Sequence, residues 1–187
     1  MTGFYKKLPS FIFISVLVLY AGKTMKNTEF ECREKDDQFF IKVVGDISAM
    51  TAFPNVTLKP NQKVTVILQD AGYVNSSGIQ GWISWLSALK KKSISAKFYF
   101  QLVPANFARC AFQIRDFLPE HSIVESFITP YFCNGCEKSF HKTFIKGANW
   151  DSKWTAEDTI KNISKINCPH CGALAEIDAV PEVFGKL

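Results

Sequence analysis

Apolar residues at Ile79, Trp82, Ile83, Leu86 and Leu89 recur at spacings of three and four, which puts them on one face of a helix over residues 77–91. Ahead of that helix, residues 64–68 are apolar at every position but Thr65, the pattern of a buried strand. Between the two, Asn75, Ser76, Ser77 and Gly78 make a tight turn, so residues 63–92 read as strand, turn, helix. Ser76 or Ser77 is placed to cap the helix by accepting a backbone N–H, and Lys90, Lys91 and Lys92 suit the negative end of its dipole. Gly78 and Gly81 fall in the first turn, where each costs about 1 kcal/mol relative to alanine. Close approach of a backbone, a partner surface or a ligand accounts for them.

The pattern extends on both sides. Residues 39–44 read as a strand ending in a Gly45-Asp46 turn, and residues 49–60, with Pro54 and Pro60, as a short irregular crossing. Over residues 95–103, Phe98, Phe100 and Leu102 alternate with Tyr99 and Gln101, which favours a strand. Pro104 ends it, and residues 105–114 set Phe107, Cys110, Ala111 and Ile114 on one helical stripe suited to core packing. Residues 123–128 read as one further strand leading into Pro130. Strands alternating with helices predict an α/β fold with a mixed or mainly parallel sheet covered by helices.

VNSSGIQGWISWL resembles the strand-loop-helix signature of STAS domains, the fold of anti-sigma-factor antagonists, in which Asp-Ser-Ser-Gly leads into an apolar helix. FFIKVVGDIS is similar to the strand and Gly-Asp/Glu turn that precede the motif there, and SAKFYFQLVPANFARCAFQI to the strand-helix unit that follows it. The resemblance covers residues 37–130. It implies a STAS-like mixed β-sheet and a non-enzymatic signalling or scaffolding role, with Asn75, Ser76, Ser77 and Gly78 as the partner-binding loop. It also implies that a partner serine kinase of the anti-sigma type phosphorylates Ser77; the alternative is that Ser76 and Ser77 serve only as caps. Asn75 stands where the antagonists carry aspartate, a departure that bears on the switch and not on the fold. SIVESFITPYFCNGC together with CPHCG is similar to a bacterial group that joins a STAS-like domain to a cysteine ribbon, in which asparagine at that position is ordinary.

Four of the six cysteines form two pairs, Cys133-Asn134-Gly135-Cys136 and Cys168-Pro169-His170-Cys171-Gly172. Two residues between thiolates let the backbone turn its N–H groups toward sulfur, and a glycine after the second cysteine relieves a positive φ. Four thiolates at about 2.3 Å close a shell around Zn²⁺ and leave no open position, so the ion is expected to be structural. Two disulfides or free thiols are the alternative. The 31 residues between the pairs exceed the common spacing, which predicts an insertion with a strand at 140–145 and a helix at 155–164. Thr155 and Asp158 suit a capping box there. A small zinc-ribbon module over residues 131–187 would depend on its metal to fold, beside a STAS-like domain over 25–130 whose elements close before Cys133. His121, His141 and His170 are surplus to the site, and Cys32 and Cys110 read as idle or packing thiols.

The net charge of +5 invites a nucleic-acid reading, yet residues 131–187 hold seven basic and seven acidic residues and no arginine. A zinc ribbon that binds nucleic acid or transcription machinery is therefore the alternative to a protein-docking module, with no nucleic acid as the favoured partner. A third class is a redox protein using its CxxC pairs outside the cytoplasm. No phosphate loop, His-Glu-x-x-His helix or Gly-x-Ser-x-Gly elbow occurs, so an enzyme is not expected. Asp46 and Asp70 would approach the serine loop as a solvated rim. Residues 1–24 combine Lys6 and Lys7 with an apolar run over 11–20, which fits a cleaved signal, a short membrane anchor, or an extension ahead of a true start at Met25. Free CxxC thiolates suit a reducing compartment, which points to the cytoplasm.

Overall fold

The computed structural model describes residues 26–151, 153–185 and 187 as a mixed α/β protein with two five-stranded sheets and three α-helices. The first sheet takes β1 (Glu29–Lys35), β2 (Gln38–Ile47), β3 (Lys63–Val74), β4 (Lys97–Gln101) and β6 (Ile123–Val124), side by side in that order. β2, β3, β4 and β6 run parallel, and β1 is antiparallel to β2. β1 was not expected. Every residue in it but Phe30 is exposed, so it carries no alternation of apolar and polar positions. What makes it is the turn Asp36-Asp37, with φ of +51° and +57°, the left-handed pair that closes a two-residue hairpin.

Gly45 and Asp46 form no turn. They lie inside β2, where Gly45 at φ +85° opens an irregularity in the pairing with β3. The crossing from β2 to β3 is irregular, as expected, with no helix in it. After β3 comes α1 (Ser76–Lys92), which buries Trp82, Trp85, Leu86 and Leu89. Ile41, Val66 and Phe100 are paired across the sheet, as are Val64 and Phe98, so they share one face, and all are at most 3% exposed. On the opposite face Phe40, Lys42, Ile67, Tyr99 and Gln101 are half-buried. There the sheet is screened by its own cations, with Arg33 5.3 Å from the Phe40 ring and Lys63 4.3 Å from the Tyr99 ring. Indole N–H groups anchor the helix: Trp82 donates to the Phe117 carbonyl and Trp85 to the Pro54 carbonyl, each at 2.9 Å.

The second sheet is built on β7 (Ser126–Cys133), paired along its whole length with β8 (Lys138–Ile145). Two partners share its other edge. β5 (Val103–Pro104) runs parallel at Phe127 and Ile128, and β10 (Leu174–Ile177) antiparallel at Tyr131 and Phe132, with β9 (Lys165–Asn167) beyond it. Pro130 sits in the gap between them. Its carbonyl points to that edge and accepts from Asp178 N–H at 2.9 Å; an N–H would aim the same way, where no strand lies opposite, so proline costs no ladder bond. Helices α2 (Ala105–Gln113) and α3 (Ala156–Ser164) and a 3₁₀ turn (Pro181–Phe184) complete the described elements.

The single strand expected at 123–128 is two strands in different sheets. The chain leaves the first sheet after Val124 and enters the second at Ser126. Glu125 makes the step, donating its N–H to the Phe100 carbonyl at 2.8 Å and accepting from Lys146 N–H at 2.9 Å. Leu102, at φ +54°, makes the matching step from β4 to β5. The expected boundary at residues 130/131 falls inside β7, and Phe107 and Phe117 belong to one contiguous buried cluster with Phe127, Tyr131, Phe144 and Phe184. Among the described residues no helix is long and apolar enough to cross a membrane, and the targeting reading of residues 1–24 lies outside them.

Candidate metal centre

Each cysteine pair occupies the tip of a hairpin. β7 and β8 converge to the register pair Cys133–Lys138, and β9 and β10 to Asn167–Leu174, so the pairing of β10 with β7 brings the two tips together. All four sulfurs then lie within 4.8 Å of one another, an arrangement able to hold a metal ion. The closest approaches are Cys133 to Cys171 at 3.6 Å and Cys136 to Cys168 at 3.7 Å. A disulfide needs about 2.05 Å, whereas four sulfurs at about 2.3 Å from a tetrahedral ion stand about 3.8 Å apart. The sulfur set therefore fits an ion and not a pair of disulfides.

The backbone shapes the site as the spacing predicts. Cys168 Sγ accepts from His170 N–H at 3.4 Å, and the knuckle is closed by Cys168 N–H to the Ala173 carbonyl at 2.8 Å and Gly172 N–H to the Cys168 carbonyl at 2.9 Å. Gly172 takes φ +75°, and Glu137 takes the equivalent position after Cys136 at φ +55°. The sequence offered no sign of that second left-handed residue, because the first pair lacks the trailing glycine. Cys133 and Cys168 are buried, Cys136 is half-buried and Cys171 is exposed. Desolvation and the neighbouring thiols push the Cys136 thiol up to about 12. Desolvation also acts on Cys168, but N–H groups of His170 and Cys171 directed at its sulfur, with two thiol neighbours, bring it down to about 7. Crowded thiolates repel one another, so a cation is what would let all four ionise together.

His141 and His170 stay outside the sulfur set. His141 is exposed on β8, and the His170 ring stands edge-on to Phe140 at 6.1 Å. His121 is exposed at φ +64°. Cys32 is exposed on β1, and Cys110 is buried on α2.

The serine loop sits at the carboxyl end of β3, and its cap differs from expectation. Asn75, not Ser76 or Ser77, caps α1: its Oδ1 accepts from Gly78 N–H at 2.7 Å, and its own N–H donates to the Ile47 carbonyl at 3.1 Å. Gly78 is the close approach its composition implied, since a Cβ there would be driven into the Ile47 carbonyl. Ser76 and Ser77 are the first helical residues and both are exposed. Asp46 reaches this end of the sheet as a structural brace, accepting from Tyr73 N–H at 2.6 Å and Lys26 N–H at 2.7 Å. Asp70 turns elsewhere and pairs with Lys42 at 3.0 Å. Comparison of the chain with family models, curated proteins and solved structures found no match.

Proposed function

We propose that this chain is a non-enzymatic signalling or scaffolding protein, in which a STAS-like domain docks a protein partner through its serine loop and α1, and a zinc ribbon is clamped by one structural Zn²⁺. The docking reading is carried by the division of labour within residues 75–78. Asn75 and Gly78 are consumed in fixing the turn, which leaves Ser76 and Ser77 exposed on a rigid support. The succession β2, β3, α1, β4, α2 follows the order of strand, serine loop, helix, strand and helix that the resemblance implies. A phosphate on Ser77 would add nearly two negative charges at the positive end of α1.

Two measurements test this. Protein isolated from its native cells should carry a stoichiometric protein partner that is lost in a Ser77→Trp variant of unchanged fold; a partner retained by that variant overturns the docking surface. Mass spectrometry of the same material should find phosphate on Ser77, and its absence under every growth condition overturns the switch while leaving the docking surface standing.

The metal reading rests on donor chemistry. Cys133, Cys136, Cys168 and Cys171 offer four sulfurs within 4.8 Å of one another, two of the separations at 3.6 and 3.7 Å, and four thiolates are the donor set of closed structural zinc sites. When bound, the ion would stabilise the thiolate forms and hold the two hairpin tips together. Elemental analysis of protein purified under reducing conditions should give one zinc per chain, lost in Cys168→Ser; far less zinc in the wild type, or iron in its place, overturns the assignment.

A further inference from the structure

At the corner where the two sheets meet lies a cavity of about 520 Å³, inside the range of roughly 300–1,000 Å³ typical of small-molecule sites. Topology fixes its position. The parallel pairing of β3 with β4 ends at Ile67–Gln101, and Gln69, Asp70 and Leu102 follow it into the cavity, on the carboxyl side of that pairing, where open parallel sheets bind ligands. One wall is a patch of the β7–β8 ladder, with Ile128 opposite Thr143 and Pro130 opposite His141. The facing wall holds Gln69, Asp70 and Asn106. Asn106 Nδ2 donates to the Gly72 carbonyl, which ties the start of α2 to β3, and among the described residues no donor reaches Asn106 Oδ1. Leu102 also lines the cavity, held in its left-handed conformation by a 2.9 Å bond from its N–H to Ser126 Oγ.

We propose that this cavity binds a small neutral polyhydroxylated molecule, a monosaccharide or cyclic polyol. The first argument is charge. Among the described residues Asp70 is the only carboxylate lining the cavity, and Lys42 already holds it at 3.0 Å. An ionic ligand would shed its water with no unpaired protein charge to replace it. The second is hydrogen-bonding balance. The Gln69 amide, the Thr143 hydroxyl, the His141 imidazole and Asn106 Oδ1 present donors and acceptors with neither in excess, and a hydroxyl, which both donates and accepts, satisfies each of them. The third is shape. Pro104, Pro130, Leu102 and Ile128 supply C–H surface against which the less polar face of a ring can lie, while its hydroxyls point to the amide, imidazole and hydroxyl groups. The site is independent of the serine loop and of the metal.

Saturation-transfer NMR on the full chain, with D-glucose, D-ribose and myo-inositol as probes at millimolar concentration and glutamate and citrate as charged controls, tests the proposal. Transfer to at least one of the three polyols is expected. It should fall by about tenfold, equivalent to about 1.4 kcal/mol, in Thr143→Trp, whose indole would occupy the cavity. His141→Leu, an exposed position on β8, should weaken transfer without altering the far-ultraviolet circular dichroism, and it keeps the test available if the larger substitution fails to fold. The proposal is overturned by silence from all three polyols, by transfer to the charged controls alone, or by equal transfer in wild type and His141→Leu.

Discussion

Asn75 shows how a single residue overturns an expectation that named Ser76 or Ser77 as the cap. Asparagine caps by the same side-chain chemistry as serine, and side-chain chemistry does not say at which of these positions the helix begins. The backbone does: Asn75 is extended, with φ −85° and ψ 172°, and receives the Gly78 N–H, while Ser76 already belongs to α1. Asn75→Ala should therefore destabilise the protein by about 1 kcal/mol in urea titration, and Ser77→Ala should stay within about 0.5 kcal/mol. Equal losses would place the cap on the serine. Asn75→Asp retains the acceptor and should fold like the wild type, which makes the departure from aspartate neutral for the turn. Gly78→Ala should cost about 1–3 kcal/mol through overpacking against the Ile47 carbonyl.

Among elements, legibility tracked burial. β3 and α1 were readable because one buries an apolar run and the other an apolar stripe, and α3 because Thr155 and Asp158 make the capping box in full. β1 was not, since its residues face solvent on an open sheet edge. The step from β6 to β7 was not, since Glu125 changes sheets without glycine or proline to mark it. The cysteine set was legible from spacing alone. The corner cavity was not, because its lining comes from stretches far apart in the chain that only the two-sheet topology assembles. Asp158 permits a test at this scale. The Thr155 hydroxyl, at 2.8 Å, and the Thr155 N–H, at 3.0 Å, hold its carboxyl below the ordinary value of 3.8. A carboxylate whose folded pKa is depressed contributes stability above its unfolded pKa and loses it as pH falls toward the folded value. Thermal melts of wild type and Asp158→Asn should thus be separated above that window and converge below it; a separation that persists in acid would remove the capping box as its cause.

For the whole molecule, β7 is the joint. It carries Cys133 at one end, receives β5 from the N-terminal side of the chain and β10 from the C-terminal side, and sits in a core continuous with that of the first sheet. If the cysteine centre holds an ion as proposed, unfolding should accordingly be a single transition in which removal of that ion destabilises both sheets together. Coincident melts followed by far-ultraviolet circular dichroism and by metal release would agree with this, and two well-separated transitions would sink it. The tryptophans make the outcome visible without any added dye. Trp82 and Trp85 lie 5.5 Å apart with rings tilted by 50°, near enough for their near-ultraviolet transitions to couple, so the resulting dichroic band belongs to α1 seated on the first sheet. Trp150 stands 5.1 Å from Phe127 at 77° and belongs to the second sheet. A Trp150→Phe protein keeps the first optical signature and silences part of the second, so each half of the chain can be watched through its own spectroscopic window as the metal leaves.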